Sequence, residues 1–341
     1  MVHLSRWQRW TSRLVWTYLA LIGLISALVQ WTGDSWWFST VLLFGPRWIW
    51  MLPLPLLVLM VLVSLGVARQ RLLLLPLLIA AVLLVWPIMG WIPGLGHSGA
   101  TESADLRVLT YNIGTDDASA HPSVSMSNLT WLVSATRADV AAFQECNFSD
   151  EQLRTAFPEY EVSSTADTCL ISRFVVAKTA IRDRADIRAL HGSGIIDRFE
   201  IIGPRGLLSV TSIHLATVRR GMEQVLDHPS DVPAALRNNI RLRSLESREA
   251  RAWSARTKVP QIVVGDFNIP QESQIYRTYW SGLANALAEC GSGFAYTKFT
   301  GNWGIRIDHV LYDSSWACTS ASVLSGLGGD HRPVFVTLRL Q

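Results

Sequence analysis

Gln261-Ile-Val-Val-Gly-Asp-Phe-Asn268 is a short β-branched run that ends in a glycine, a carboxylate and an amide. Such a run, bounded by turn residues, reads as a buried strand. On a continuing strand Asp266 and Asn268 share one face and Phe267 points into the core. The competing reading is a Gly-Asp-x-Asn turn, because these residues favour turns. Similar junctions recur along the chain: Thr110-Tyr-Asn112-Ile-Gly, Phe143-Gln-Glu145, Ser212-Ile-His214-Leu, Arg306-Ile-Asp308-His309 and Gly329-Asp330-His331-Arg-Pro. Most close a short apolar run, such as Arg107-Val-Leu-Thr or Leu208-Ser-Val-Thr-Ser-Ile. Six strand ends bearing carboxylate, amide or imidazole groups predict one rim and one polar site.

The order of these clusters resembles the endonuclease/exonuclease/phosphatase superfamily, with Gly-Asp-Phe-Asn at 265–268 and Asp-His-Arg-Pro at 330–333 as the most specific pieces. The resemblance covers residues 105–341. It implies an α/β fold of two packed β-sheets flanked by helices, a four-layer sandwich. It also implies a divalent metal and cleavage of a phosphate ester. Two positions depart from the pattern: Gly329 replaces the usual Ser before Asp-His, and Gly114 stands where some nuclease members carry a second acidic residue.

Phosphodiester hydrolysis needs a cation on the phosphate oxygens, a deprotonated and aligned water, and a stabilised leaving group. A hard ion such as Mg²⁺, or Mn²⁺, takes oxygen ligands and needs few protein carboxylates. By resemblance Glu145 is the metal ligand, Asn112 sits beside metal and phosphate, and Asp330 joins the metal or positions water. His331 is the candidate imidazole for proton transfer or phosphate binding, and the resemblance implies Asp308 as its orienting acceptor. Asp266 and Asn268 serve water and a phosphate oxygen, and His214 the phosphate or leaving group. His309 should point away, as packing. Arg219 and Arg220 form a basic loop past His214 that could clamp an anionic substrate.

Residues 1–94 are a different material. Residues 14–31, 48–66 and 72–92 are almost wholly apolar, each long enough as a helix to cross a bilayer. Three N-terminal transmembrane helices are therefore expected, followed by a linker at 95–104 and the catalytic domain at 105–341. Ten of the fifteen tryptophans precede residue 92, as in an aromatic belt. Residues 36–44 are too short to span and read as interfacial. Arg6, Arg9 and Arg13 precede the first span, and Arg69 and Arg71 lie between the second and third. The positive-inside rule puts both groups in the cytoplasm and residues 95–341 outside it. The expected location is a multi-pass inner-membrane protein with an extracytoplasmic catalytic domain.

All four cysteines lie in the catalytic part, where an even number permits two disulfides with three connectivities. Cys146–Cys169 and Cys290–Cys318 are favoured, because the first two cap neighbouring candidate strands and the second two flank the Asp308 strand. The net charge of +3 hides an asymmetry: residues 1–94 carry six Arg and one Asp, the remainder 24 Lys+Arg against 26 Asp+Glu. A slightly acidic domain weakens a duplex-DNA reading, which needs a basic face. An Arg-rich segment at 237–258 reads as a solvated helix face. The expectation is a membrane-anchored phosphodiesterase acting on nucleic acid or a phospholipid head group, with no protein partner. The alternative is a catalytically silent sensor or scaffold binding an anionic partner. A transporter is excluded by the lack of charge inside the three segments.

Overall fold

The computed structural model describes residues 6–63, 68–94, 102, 105–114, 122–165, 167–182, 184–189, 192, 194–219, 221–223 and 232–341. The chain separates into two compact units: Met1–Trp91 with Glu272–Gln274, and Ile92–Gln271 with Ile275–Gln341.

In the larger unit the apolar runs become strands that are buried on both faces. The first sheet holds β1 (Leu106–Asn112), β2 (Val140–Gln144), β3 (Glu161–Ser164), β4 (Thr168–Ser172), β13 (Trp316–Val323) and β14 (Val334–Leu340), in the order β13-β14-β1-β2-β4-β3. The second holds β5 (Val176–Ile181), β6 (Ile195–Gly203), β7 (Gly206–His214), β8 (Gln261–Asp266), β9 (Ala284–Asn285) and β12 (Asp308–Tyr312), in the order β5-β6-β7-β8-β12-β9. A hairpin, β10 (Lys298–Thr300) and β11 (Trp303–Ile305), stands apart. Both sheets are mixed, with β1–β2 and β7–β8 parallel.

Alternation along each strand builds the layers. Val108, Val140 and Leu170 of the first sheet meet Val210, Ile262, Val264 and Val310 of the second in one core. The opposite face of the first sheet presents Leu109, Tyr111 and Phe143 to helix Met126–Thr136. The opposite face of the second presents Ile213, Val263 and Leu311 to Trp280 and Ala250. Helix, sheet, sheet and helix make the expected four layers. Both favoured cysteine pairs are bridged, with Cα–Cα separations of 5.7 Å for Cys146–Cys169 and 6.2 Å for Cys290–Cys318.

The smaller unit departs from the sequence expectation. Among the described residues one helix, Arg6–Thr32, is long and apolar enough to cross a membrane. The second expected span corresponds to Arg47–Val63, which meets the segment expected to be interfacial, Trp37–Phe44, at 84°. Gly45-Pro46 lies at that bend, and proline removes a helical donor and clashes with the preceding turn. The third span shortens to the apolar helix Leu74–Ile88, with Pro87 inside its last turn. At 1.5 Å per residue this is about 22 Å, short of a ~30 Å hydrocarbon core. Three full-length spans are therefore corrected to one, or two if the bent pair counts as one. The helix Arg6–Thr32 still exposes Trp10, Trp16, Leu24 and Trp31. Asp34 and Arg47 are buried and paired within this unit. Asp34 accepts from the Ser273 hydroxyl and the Gln274 N–H, and Arg47 meets Glu272 at 3.3 Å.

Candidate active site

Strand register assembles the site before any side chain is considered. His214 lies opposite Asp266 across β7–β8, and Asp266 lies opposite Asp308 across β8–β12. Three adjacent strand ends thus deliver an imidazole and two carboxylates side by side. In the other sheet Asn112 pairs with Gln144, and Glu145 follows one residue beyond. The Gln144 side chain crosses between the sheets to the Ser212 hydroxyl, 3.0 Å away, and locks the two rims together.

Asn112 joins the halves. Its Nδ2 donates to Glu145 Oε1 at 2.9 Å and to Asp266 Oδ2 at 3.2 Å, and its Oδ1 accepts from the Gly114 N–H. Glu145 takes a left-handed turn (φ 54°) just past β2. A Cβ on Gly114 would fall 2.0 Å from its Oε2, so glycine at this departure from the family pattern makes room for the carboxylate. The Gly329 departure also has a backbone cause. Its φ is +66°, and a Cβ would lie 2.6 Å from the Gly114 carbonyl.

His331 is buried against Asp308, which accepts from its Nδ1 at 2.9 Å. That leaves Nε2 facing Asp266 Oδ2 at 3.7 Å and the Lys298 ammonium at 3.1 Å. Burial works against the charged form of His331, but the Asp308 and Asp266 charges outweigh it and raise its pKa; Lys298 pulls the other way. The Thr297 hydroxyl fixes this corner by accepting from the Ile307 and Asp308 N–H groups.

His214 has a similar partner. Its Nδ1 lies 3.1 Å from Asp167, and its Nε2 lies 3.6 Å from Glu145. Burial disfavours its charge, yet the Asp167 hydrogen bond and the Asp266 and Glu145 charges together push its pKa up to about 9. Asp266 is raised to about 6, first by burial and then by the Asp308 charge.

The Asp266–Asn268 segment is both strand and turn. β8 ends at Asp266, and Asn268 adopts φ 52°. Asp266 Oδ1 accepts from the Asn268 N–H, while Asn268 Nδ2 donates to Asp266 Oδ2 and to the Leu215 carbonyl. Asn268 therefore holds the carboxylate in place instead of sharing a strand face with it. Phe267 does enter the core, packed edge-on against Trp280. His309 is packing, with its ring nitrogens at Asn285 and the Ile269 carbonyl.

Asp330 lies at the same corner, and its Oδ2 is 2.7 Å from Lys298 Nζ. Arg219 pairs with Glu223 at 3.5 Å on the surface, and Arg220 lies outside the described residues. Two site residues were absent from the sequence reading. Asp167 sits in a turn with no apolar run before it, and Lys298 opens a three-residue strand. The signal available for Lys298 was its rarity, as one of three lysines beside 27 arginines.

The donor set fits a hard divalent cation. Asp266, Asp308 and His331 each bring a donor atom within 4.8 Å of the others. The carboxylate oxygens of Glu145 and Asp266 also flank the Asn112 amide. Since His331 Nδ1 is engaged by Asp308, the oxygen set centred on Glu145 is the better match to an oxygen-seeking ion.

Comparison with solved structures gives the same fold at low identity. An endonuclease/exonuclease/phosphatase family protein from Bacteroides thetaiotaomicron is 16% identical, with TM-score 0.51, covering 71% of this chain and 100% of that one. TDP2 from D. rerio, complexed with a single-strand DNA product, is 12% identical, with TM-score 0.53 and coverage of 70% and 100%. The 3′ phosphatase NExo from Neisseria, bound to a product DNA hairpin, is 16% identical, with TM-score 0.50 and coverage of 69% and 99%. No curated protein sequence gives a significant match. The family model for the endonuclease/exonuclease/phosphatase family matches residues 109–331, from the middle of β1 to His331 itself. With its two mixed sheets and the strand-end cluster they carry, the chain belongs to the endonuclease/exonuclease/phosphatase family.

Proposed function

We propose that this protein is a membrane-anchored, divalent-metal-dependent phosphodiesterase that acts outside the cytoplasm on nucleic acid or a phospholipid head group. The observation that carries the hydrolase reading is the Asp308–His331–Asp266 chain lying beside the Glu145–Asn112–Asp266 oxygen cluster. A silent binding module would have no need of two carboxylate-oriented imidazoles aimed at one buried carboxylate.

Glu145, with Asn112 alongside, would hold Mg²⁺ or Mn²⁺, and the bound ion would neutralise phosphate oxygens. The remaining work belongs to the chain. Asp266 titrates near 6, so at neutral pH it is a carboxylate able to take a proton from water. Asn112 and Asn268 aim it. His331, oriented by Asp308 through Nδ1, turns Nε2 toward the phosphate and stabilises its charge. His214, protonated and held by Asp167, is placed to give a proton to the leaving alkoxide.

The anchor is the helix Arg6–Thr32, with Arg6, Arg9 and Arg13 at its cytoplasmic end. Two disulfides support an oxidising compartment for the catalytic unit. Tethering favours a lipid substrate, because an anchored site is already concentrated at the bilayer.

The test is hydrolysis by the detergent-solubilised full chain with Mg²⁺, with Mn²⁺ or with chelator. DNA, RNA, sphingomyelin, phosphatidylinositol and an aryl phosphodiester are the substrates. Activity on at least one of these, abolished by chelator and restored by metal, is expected. Full activity in chelator would remove the metal from the reaction, and no hydrolysis of any ester would remove the enzyme reading.

A further inference from the structure

We propose that Lys298 is a built-in cation of the phosphate subsite: its ammonium contacts a non-bridging phosphate oxygen and keeps Asp330 from binding metal, so the centre takes one divalent ion, on the Glu145 side. The inference deepens the phosphoesterase reading above and rests on it.

The first support is placement. β10 is bridged to the His331 strand end, with Lys298 directly opposite His331. Backbone bonds hold the pairing on both sides, from the Phe299 N–H to the Asp330 carbonyl and from the Arg332 N–H to the Thr297 carbonyl. The ammonium then reaches Asp330 at 2.7 Å and His331 Nε2 at 3.1 Å, with its side chain only 16% exposed. Main-chain pairing thus holds it at the Asp330–His331 corner of the site.

The second support is choice of residue. A chain with 27 arginines has used lysine three times, and the other two, Lys178 and Lys258, are exposed. A guanidinium prefers a planar, bidentate grip on one carboxylate, whereas an ammonium is a compact charge with three rotatable donors. With one donor on Asp330, another can reach a phosphate oxygen.

The third support is charge. The site gathers five carboxylates: Glu145, Asp167, Asp266, Asp308 and Asp330. Lys298 is the one ammonium among them, and its ion pair takes up the Asp330 charge. With Asp330 already paired to Lys298, the sequence expectation that Asp330 ligates metal is replaced by an ion pair.

The test uses the full chain in detergent, without substrate. Mn²⁺ binding, read from the electron paramagnetic resonance signal of free ion, should give one site per chain. Glu145→Gln should weaken that site. With Mn²⁺ saturating, calorimetric binding of inorganic phosphate should weaken at least ~10-fold in Lys298→Met, the scale of one charge-assisted hydrogen bond. Lys298→Arg, which keeps the charge, should lose much less. Two Mn²⁺ sites in the wild type would overturn the proposal. So would phosphate affinity unchanged in Lys298→Met, or lost equally in both variants with circular dichroism intact. Phosphate binding needs no turnover. A protein that binds phosphate through Lys298 but cleaves no ester would leave this inference standing and sink the hydrolase reading.

Discussion

Replacing Cys146 and Cys169 together by serine removes a bridge that closes 23 residues between β2 and β4. Loop-closure entropy for that length is about 11 cal/mol/K, or about 3 kcal/mol of lost stability at 25 °C. The site feels the same change. Cys146 follows Glu145 directly, and its N–H donates to the Asp167 carbonyl at 3.0 Å. The bridge thus ties the turn of the candidate metal ligand to the turn that orients His214. Pulse proteolysis of the solubilised chain across a urea series reads the unfolding of the catalytic unit as loss of its resistant band. With a slope of roughly 3 kcal/mol/M for a unit of this size, the midpoint should fall by about 1 M. Reductant also opens Cys290–Cys318, so it should lower the wild-type midpoint further than the serine pair does and bring wild type and variant to similar midpoints. Equal midpoints for wild type and variant in non-reducing buffer would mean that the bridge does not close in the protein. The compartment argument would then lose its main support.

Three further predictions concern the site and the anchor. His331→Ala should cost at least ~10²-fold in kcat/KM, Asp308→Asn less, and the double variant little more than His331→Ala; multiplying losses would show the two do not act as a unit. Asp266 has a folded pKa of about 6, above its ordinary value, so its contribution to stability is lost as pH rises through roughly 4 to 6. Asp266→Asn should therefore stabilise the metal-free protein above pH 6 and not below pH 4, while lowering activity ~10²-fold or more; pH-independent melting differences would refute the buried-charge account. A C-terminal alkaline phosphatase fusion should be active and a C-terminal fluorescent protein dark, and the reverse pattern would place the catalytic unit in the cytoplasm.

The sequence displayed the strands because both faces of each sheet are covered, which leaves short β-branched runs with little polar interruption. It displayed Asp266 and His214 because each closes such a run, and Asp308 and His331 because each stands at or just before the start of one. Their partners were harder to see. Asp167 lies in a polar turn and acts only through a contact 47 residues away, with His214. Lys298 reaches His331 through hairpin pairing that no local pattern encodes. The left-handed turn at Glu145 was equally hidden, since it falls on a non-glycine residue whose side chain meets a distant partner, Asn112. At the N-terminus, composition overstated what length allows. Apolar character alone did not reveal the shortness of Leu74–Ile88.

β1 lies between β2 and β14, so the earliest strand of the catalytic unit is completed by its latest: Leu106 pairs with Leu338, and Thr110 with Val334. His331 sits three residues before that closing strand begins. During synthesis Asn112 and Glu145 can meet early, through the local β1–β2 pair, but His331 joins them only when β14 docks. Contacts so distant in sequence form slowly. A growing or partly unfolded chain therefore lacks the imidazole corner altogether. The candidate site is thus tied to completion of the fold: a chain whose last strand has not docked holds the Glu145 side without the His331 side.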